Sequence, residues 1–470
     1  MRNWQRRDSK LQLQRPLDMH RRIPWPLLGG ILFSLLLVSL GAYFFSGDDK
    51  PPVVAEVKAE AQAQTPPSVP SDPPPATETL NVEVVAPPIS GQIPPKELDK
   101  KQLAEMIGPR PLKSNEVYAF PIHDEEGQEL WVQTTMDPVL QKWATEMMTK
   151  VKAKSAALVA IEPTSGEVKA LASYRDDGRP VNAALSNAFP AASLIKIVTA
   201  AAALEKKDMT GQTTLAYDGP KYKLYRENFK KGVDQGQHQV TLKKSFAQSL
   251  NPVFGKIGAF SLGPKALTSF AEKFYFNQPI EFEMPVEESQ FLGAPADDVE
   301  KVAKLASGLE KSTKTSPLHS AMLASAIVND GELMEPTVVR EVFDMDNRIY
   351  YKHEPRLLGQ VVSTDTVKEI RKLMRATITE GTGRRRFRDI NTHQVLSRLE
   401  IGGKSGTLNN EEGFLTDWFI CFAKIKKSHQ AVAMAVVVVH DPKHYGVKSQ
   451  DIIREAIIQY FRPLLFAKES

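Results

Sequence analysis

Between Val181 and Leu204 the chain carries one charged side chain, Lys196. The stretch VNAALSNAFPAASLIKIVTAAAAL is apolar nearly all round when wound as a helix, so no face of it can be left to water. Such a helix has to lie in the middle of a packed domain with other elements on every side. It also carries a lysine into that interior, where an ammonium is costly unless it is paired or used. Desolvation disfavours the charged form and brings a neutral, basic amine within reach near neutral pH. One turn earlier, on the same face, stands Ser193. A start just after Pro190 would leave free backbone N–H groups beside its hydroxyl, suited to an oxyanion. A nucleophile beside a base is the minimal constellation for acyl transfer. Ser-x-x-Lys alone is common by chance; the apolar setting gives this one its weight.

The rest of the chain limits what such a helix can belong to. Its 470 residues allow one large domain with appendages or two to three domains. Sixty basic against 56 acidic residues is too even a balance for a dedicated nucleic-acid binder. A single cysteine, Cys421, excludes an internal disulfide framework and a cysteine-based zinc site.

Residues 23–46 hold no charge and are long enough to cross a bilayer, which takes about 20 helical residues. Trp25 and Tyr43 to Phe45 sit near the two ends, where aromatic belts belong. Seven basic residues against Asp8 and Asp18 in residues 1–22 place that tail in the cytoplasm and the remainder outside. The expectation is an uncleaved single-pass anchor in the inner membrane. Residues 47–96 are rich in proline, lack aromatic residues and read as a linker rather than a core. Residues 97–129 read as a short pre-domain segment, and residues 130–468 as the main domain.

In that domain SAALVAIEP and EVKALASY are strand-like runs around Thr164, Ser165 and Gly166, a hairpin. TDWFICFAKI and AVAMAVVVVH form a second strand pair around KKSHQ, and SQDIIREAIIQYFRPLL closes the chain as an amphipathic helix. Helical segments fill the middle, from about Ala191 to Met334. The predicted fold class is α+β: an antiparallel sheet assembled from both ends of the domain, flanked by helices, plus an all-helical subdomain.

Two further pieces carry chemistry. TLKKSFAQSLNPVFGKIG presents Ser249 and Asn251 from one short turn. LEIGGKSGTLN is a strand in which Gly402, Gly403 and Gly406 would let a ligand backbone come close. Lys404 and Thr407 are read there as a cation and a hydroxyl on one strand face, with Ser405 between them. The three pieces stand in the order of a known acyl-transfer set. With TTMDPVLQ, ALVAIEPTSGEVKALAS, TSPLHSAMLASAIVNDGELMEP, GTG at Gly381 to Gly383 and DWFICFA from Asp417, the sequence resembles the penicillin-binding protein and serine β-lactamase superfamily. The likeness is greatest to the transpeptidase domain of penicillin-binding proteins. Ser405 replaces the commoner threonine of the third motif and keeps its hydroxyl.

That resemblance implies that Ser193 is the acylated nucleophile and Lys196 its general base. Ser249 would pass a proton to the leaving amine, and Asn251 would hold the substrate amide. Lys404 would sustain a positive field, with Ser405, Gly406 and Thr407 on the carboxylate end of a D-Ala-D-Ala stem peptide. The backbone N–H groups of Ser193 and Thr407 would form the oxyanion hole. Peptidoglycan stem peptides and β-lactams are the implied ligands; no cofactor, metal or nucleic acid is called for. The first reading is a D,D-transpeptidase. A β-lactamase or D,D-carboxypeptidase, in which water resolves the acyl-enzyme, and a non-catalytic β-lactam sensor or scaffold remain open. The intervening sequence has no room for a glycan-polymerising domain, so a separate membrane polymerase is the expected partner.

Three smaller features read as structural. His440, Asp441 and His444 are expected on a surface hairpin rather than at a metal. GRRRFRD (Gly383 to Asp389) is expected to be a solvated loop. Cys421 reads as a small core hydrophobe.

Overall fold

The computed structural model describes residues 97–466 except 110–111, 113–115, 180–181, 226, 228–231 and 442–445. The anchor and linker expected in residues 1–96 lie outside the described residues. Among the described residues no helix is long and apolar enough to cross a membrane.

The described chain opens with helix α1 (Lys100–Ile107), started by a reciprocal cap in which Asp99 accepts from the Gln102 N–H and Gln102 from the Asp99 N–H. Strands β1 (Ala119–His123) and β2 (Glu129–Thr134) lead into α2 (Pro138–Lys150), then β3 (Ser155–Ile161) and β4 (Val168–Arg175). After the pair β5 (Phe189–Pro190) and a 3₁₀ turn, Ala192–Ile195, comes α3 (Lys196–Lys207). The ribbon β6 (Thr214–Tyr217) and β7 (His238–Thr241) precedes α4 (Leu242–Ala247) and α5 (Asn251–Lys256). Then come a π-helical turn, α6 (Gly263–Lys273), α7 (Val299–Ser307), β8 (Lys314–Thr315) and α8 (Pro317–Val328). Strands β9 (Glu332–Met334), β10 (Val339–Phe343), β11 (Ile349–Lys352) and β12 (Leu357–Gln360) follow, then α9 (Thr364–Thr379). The chain closes with β13 (Leu399–Asn409), β14 (Leu415–Ile425), β15 (Ala431–His440) and α10 (Ser449–Phe466).

Five strands form the central antiparallel sheet in the order β13-β14-β15-β3-β4. Both expected hairpins are present, and β15 joins them in unbroken register, Leu158 opposite Val436. The sheet is covered on both faces. Ala433, Ala435 and Val437 of β15 belong to one apolar core, with α3 and α8. Val432, Met434, Val436 and Val438 belong to the other, with α2 and α10. That double cover explains why β15 reads as a continuous apolar run rather than an alternation. The middle of the chain is helical as expected but not wholly so, since the ribbon β6–β7 and the short pair β5–β8 interrupt it.

The boundary expected at Leu130 falls inside β2, and residues 97–129 are not a separate segment. Strand β1 pairs with β2, and β2 with β10, in a smaller antiparallel sheet. Leu103 and Ile107 are buried in the main core. A buried polar knot fastens this region: Lys100 Nζ lies 3.3 Å from Glu283 and 2.5 Å from Glu335, and Arg356 also pairs with Glu335. Glu283, fully buried, accepts from Thr337 Oγ1 at 2.7 Å, the Val338 N–H at 3.0 Å and the Tyr351 hydroxyl at 3.2 Å.

Candidate active site

Ser193 lies in the 3₁₀ turn that feeds α3, and Lys196 is the first α-helical residue after it. The turn is shaped by its neighbours. Ala192, just before the serine, has φ of 50°, a left-handed conformation that costs a non-glycine residue of order 1 kcal/mol. Gly308, itself at φ +73°, packs so closely that a Cβ there would stand 1.9 Å from the Ala192 carbonyl oxygen. Trp418 Nε1 donates to the Pro190 carbonyl at 3.0 Å and pins the entry to the turn.

Lys196 is fully buried, and no carboxylate among the described residues pairs with it. Its Nζ donates to Ser193 Oγ at 2.8 Å, Asn251 Oδ1 at 2.7 Å and the Ser307 carbonyl at 2.5 Å. Burial pushes its pKa well below the ordinary lysine value, and the Lys404 charge pushes it the same way. The three partners then decide where a lone pair would face. The Ser307 carbonyl can only accept, and the Asn251 amide is oriented because its Nδ2 donates to the Tyr222 carbonyl at 2.7 Å. A neutral amine has two N–H groups for those two acceptors. Its lone pair is left for the one partner able to donate, the Ser193 hydroxyl.

The second hydroxyl is arranged in a similar way. Ser249 has φ of 58° at the bend between α4 and α5, which turns its side chain toward β13. Lys404 Nζ donates to Ser249 Oγ at 2.9 Å and to the Ser405 carbonyl at 2.8 Å. Burial lowers the Lys404 pKa to about 7. Phe254 lies under Lys196 and Phe246 under Lys404, ring centroids 5.6 and 5.5 Å from the amines.

The third motif is brought to the same place, with two corrections. Lys404 and Thr407 do not share a strand face. β13 pairs with β14 without a register break, so residues three apart point oppositely. Ser405 and Thr407 share the face that lines the cleft, whereas Lys404 reaches Ser249 from beneath. Nor do the glycines act alike. A Cβ at Gly402 or Gly403 would strike the Phe422 or Phe419 ring at 2.5 and 2.7 Å, so those two make room for the core. Of the three, Gly406 alone faces Ser193, its Cβ position 3.4 Å from the Ser193 nitrogen.

Ser193, Ser249, Asn251, Ser405 and Thr407 line one cleft of about 790 Å³. The sequence did not point to Ser307 and Gly308, whose roles come from a helix end more than a hundred residues downstream of Lys196. Thr382 was noticed only within GTG; its hydroxyl lies 2.6 Å from Ser405 Oγ. GRRRFRD is not merely a solvated loop. Arg385 and Arg386 line the cleft, and Phe387 is buried, stacked on Phe419. His440 is likewise not at a surface hairpin: it is buried at the end of β15, with Nε2 3.8 Å from Asp417, while His444 lies outside the described residues. Among the described residues no group of acidic, histidine or cysteine side chains is placed to hold a metal. Cys421 is buried, and burial raises its thiol pKa.

Known proteins resemble this chain in sequence and in fold. The penicillin-binding protein transpeptidase domain matches residues 156–459. Stage V sporulation protein D of Bacillus subtilis is 25% identical over 299 residues, 61% of this chain and 45% of that protein. Peptidoglycan D,D-transpeptidase PbpA of Mycolicibacterium smegmatis is 26% identical over 347 residues, 65% of this chain and 67% of that one. The chain thus spans less than half of the first relative and about two thirds of the second. The D,D-transpeptidase domain of a peptidoglycan glycosyltransferase from Eggerthella lenta superposes with a TM-score of 0.59 at 21% identity, over 74% of this chain and 96% of that one. Penicillin-binding protein A from M. tuberculosis, solved as a ceftriaxone acyl-enzyme complex, gives 0.58 at 22% identity, over 71% and 80%. These two likenesses concern the fold. The family match runs from β3 to α10 and so takes in the whole central sheet together with all three motifs: the chain belongs to the penicillin-binding protein transpeptidase family.

Proposed function

We propose that this protein is a peptidoglycan D,D-transpeptidase that cross-links stem peptides through an acyl-enzyme on Ser193 and is acylated there by β-lactams. The observation that carries the reading is Lys196, fully buried with no carboxylate partner among the described residues and 2.8 Å from Ser193 Oγ. Lys196 takes the serine proton as the hydroxyl attacks the penultimate carbonyl of the donor. Ser249, in contact with Lys404, returns a proton to the departing D-alanine. Asn251 holds the donor amide, and Ser405 and Thr407 receive the terminal carboxylate. The backbone N–H groups of Ser193 and Thr407 face the oxyanion; Gly406 brings the two segments together. A second stem-peptide amine then resolves the ester. The name of the PbpA relative supports this activity. Residues 23–46 anchor the protein in the inner membrane with its catalytic domain outside the cytoplasm, and a separate membrane polymerase supplies the glycan strands.

The test is reaction of the full chain with fluorescent penicillin, followed by a chase. An adduct that persists for many minutes and is absent from Ser193→Ala is the expected result. Rapid release of the label would make the protein a hydrolase, and no label at all would make it a scaffold. Glycan polymerisation by the purified protein alone would remove the need for a partner.

A further inference from the structure

The helix that carries Lys196 lies against the end of another. An α-helix leaves its last four carbonyls without partners of its own. In α7 these belong to Lys304, Leu305, Ala306 and Ser307. The first two are closed locally: the Leu309 N–H donates to the Lys304 carbonyl at 2.8 Å and the Gly308 N–H to the Leu305 carbonyl at 3.1 Å. The other two turn toward α3. Thr199 Oγ1 donates to the Ala306 carbonyl at 2.8 Å, and Lys196 Nζ to the Ser307 carbonyl at 2.5 Å. Thr199 and Lys196 stand three residues apart on one face of α3. Two side chains of α3 therefore finish α7, and one of them is the amine beside Ser193.

The two contacts differ in stiffness. Lysine reaches its carbonyl on a long, rotatable stem, whereas Thr199 is fully buried and β-branched, with little freedom at χ1. Its hydroxyl leans to α7, since the Ile195 carbonyl of its own helix is farther away, at 3.3 Å. The last turn of α7 is also closely fitted. A Cβ at Gly258, in the π-helical turn after α5, would stand 2.2 Å from the Ala306 Cβ, and Gly308 is packed on Ala192. Holding the Ala306 carbonyl thus fixes the next carbonyl along the helix, that of Ser307.

The placing of that carbonyl matters because little else favours a proton on Lys196. Lys404 of β13 is the charged group that acts on it, and it opposes the ammonium. Lys256 of α5 donates to the Ala216 and Gln235 carbonyls, and Lys304 of α7 pairs with Glu300 at the surface. The negative end of α7 stands where a carboxylate would otherwise be needed. We propose that Thr199 is a positioning residue of the acylation step: by holding the Ala306 carbonyl it keeps the Ser307 carbonyl against Lys196, and so sets the direction of the amine's lone pair and its readiness to take the serine proton. In that step the Ser193 O–H bond breaks and the proton goes to Lys196 Nζ. The serine oxygen bonds to the acyl carbon, and the carbonyl electron pair moves to its oxygen. Thr199 neither gains nor loses a proton. The inference rests on the reading of Ser193 and Lys196 as nucleophile and base.

The test follows penicillin acylation of the full chain against pH in wild type, Thr199→Val and Thr199→Ser. Valine keeps the shape and leaves the Ala306 carbonyl without its donor; serine restores the hydroxyl. In wild type the rate climbs with pH as Lys196 gives up its proton. In Thr199→Val the plateau should fall about tenfold, the cost of a small misplacement at the reacting groups. The climb should also come about half a pH unit lower, because the ammonium has lost part of what favoured it. Thr199→Ser should return both to the wild-type values. A valine variant with the wild-type rate and climb overturns the inference. So does a slower reaction whose pH dependence is unmoved, or one that serine does not rescue, since either makes Thr199 a packing residue only. Should the valine variant not fold, Thr199→Ala against Thr199→Ser makes the same comparison, because those two differ in the hydroxyl alone. A wild type that takes up no penicillin removes the proposed function and this inference together. A wild type that does, beside indifferent variants, removes this inference alone.

Discussion

Two buried polar regions of this protein solve the problem of interior charge in opposite ways. In the knot at α1, two buried carboxylates, Glu283 and Glu335, are matched by Lys100 and Arg356. In the candidate active site, Lys196 and Lys404 are buried with no carboxylate partner among the described residues, surrounded by hydroxyls, an amide and backbone carbonyls. Matching buried charges holds distant segments in register, because removing one member strands the other. Leaving a buried lysine unmatched instead spends stability to obtain a basic amine. On the function proposed above, the contrast separates a structural network from a reactive one by composition alone, although both hold lysine in the interior.

The contrast can be broken at several points. The largest effect is expected from Lys196→Met, which keeps the bulk and removes the base. Acylation by penicillin should fall about 10³-fold, within the range for loss of a general base, while thermal stability holds or rises. A variant that acylates at wild-type rate would return Lys196 to the structural class. Glu283→Gln should do the reverse. It removes one of the two carboxylates facing Lys100, keeps Glu335, and weakens the charged acceptor of Thr337, Val338 and Tyr351, so it should cost about 2 kcal/mol in urea unfolding, with the penicillin acylation rate unchanged; a change in that rate without loss of stability would abolish the distinction.

A third effect is in pH. Folding lowers the Lys404 pKa from the ordinary 10.5 to about 7, so between those values the unfolded chain binds the proton that the folded chain has lost. Stability therefore rises with pH across that window and is lost as pH falls through it, by at most about 1.4 kcal/mol per pH unit for one group. Thermal midpoints should climb from neutral pH to about 8.5, and less steeply in Lys404→Met. An identical slope in the two proteins would show that Lys404 is solvated like a surface residue. The smallest effect belongs to Thr382→Val. Loss of one hydroxyl contact with Ser405 should slow acylation by a few-fold, about 1 kcal/mol, with the unfolding midpoint unmoved.

The legibility of the site follows the same division. Lys196 could be found because a lone charge in an apolar helix has no innocent explanation, and Ser193 followed from helical spacing. Ser249, Asn251 and the β13 residues were reached through motif order. One error in β13 came from treating a strand as though it had a helix's period: Lys404 and Thr407 share a helical face at i and i+3, but alternate in β13. Gly402 and Gly403 were misassigned because a glycine that yields to a ligand and one that yields to a phenyl ring look alike in sequence. Ser307 and Gly308 left no local trace at all. Their contacts to Lys196 and Ala192 depend on α7 lying against the turn that carries Ser193, which only the folded chain brings about. The β3–β4 and β14–β15 hairpins were legible from their apolar runs, whereas the attachment of α1 was not, because its anchors come some two hundred residues later: the Leu98 N–H donates to the Tyr350 carbonyl, and Lys100 pairs with Glu283 and Glu335.

The seam between β3 and β15 has a consequence for the birth of the molecule. Leu158 meets Val436 across that seam, about 280 residues later in the chain, a separation of the kind that slows folding. While the chain emerges from its amino end, the hairpin β3–β4 must wait with an apolar edge uncovered until nearly all the rest has followed. A protein built this way gains from a companion that shields the early hairpin, and a stalled or truncated chain ending before Ala431 would expose a surface prone to join its neighbours.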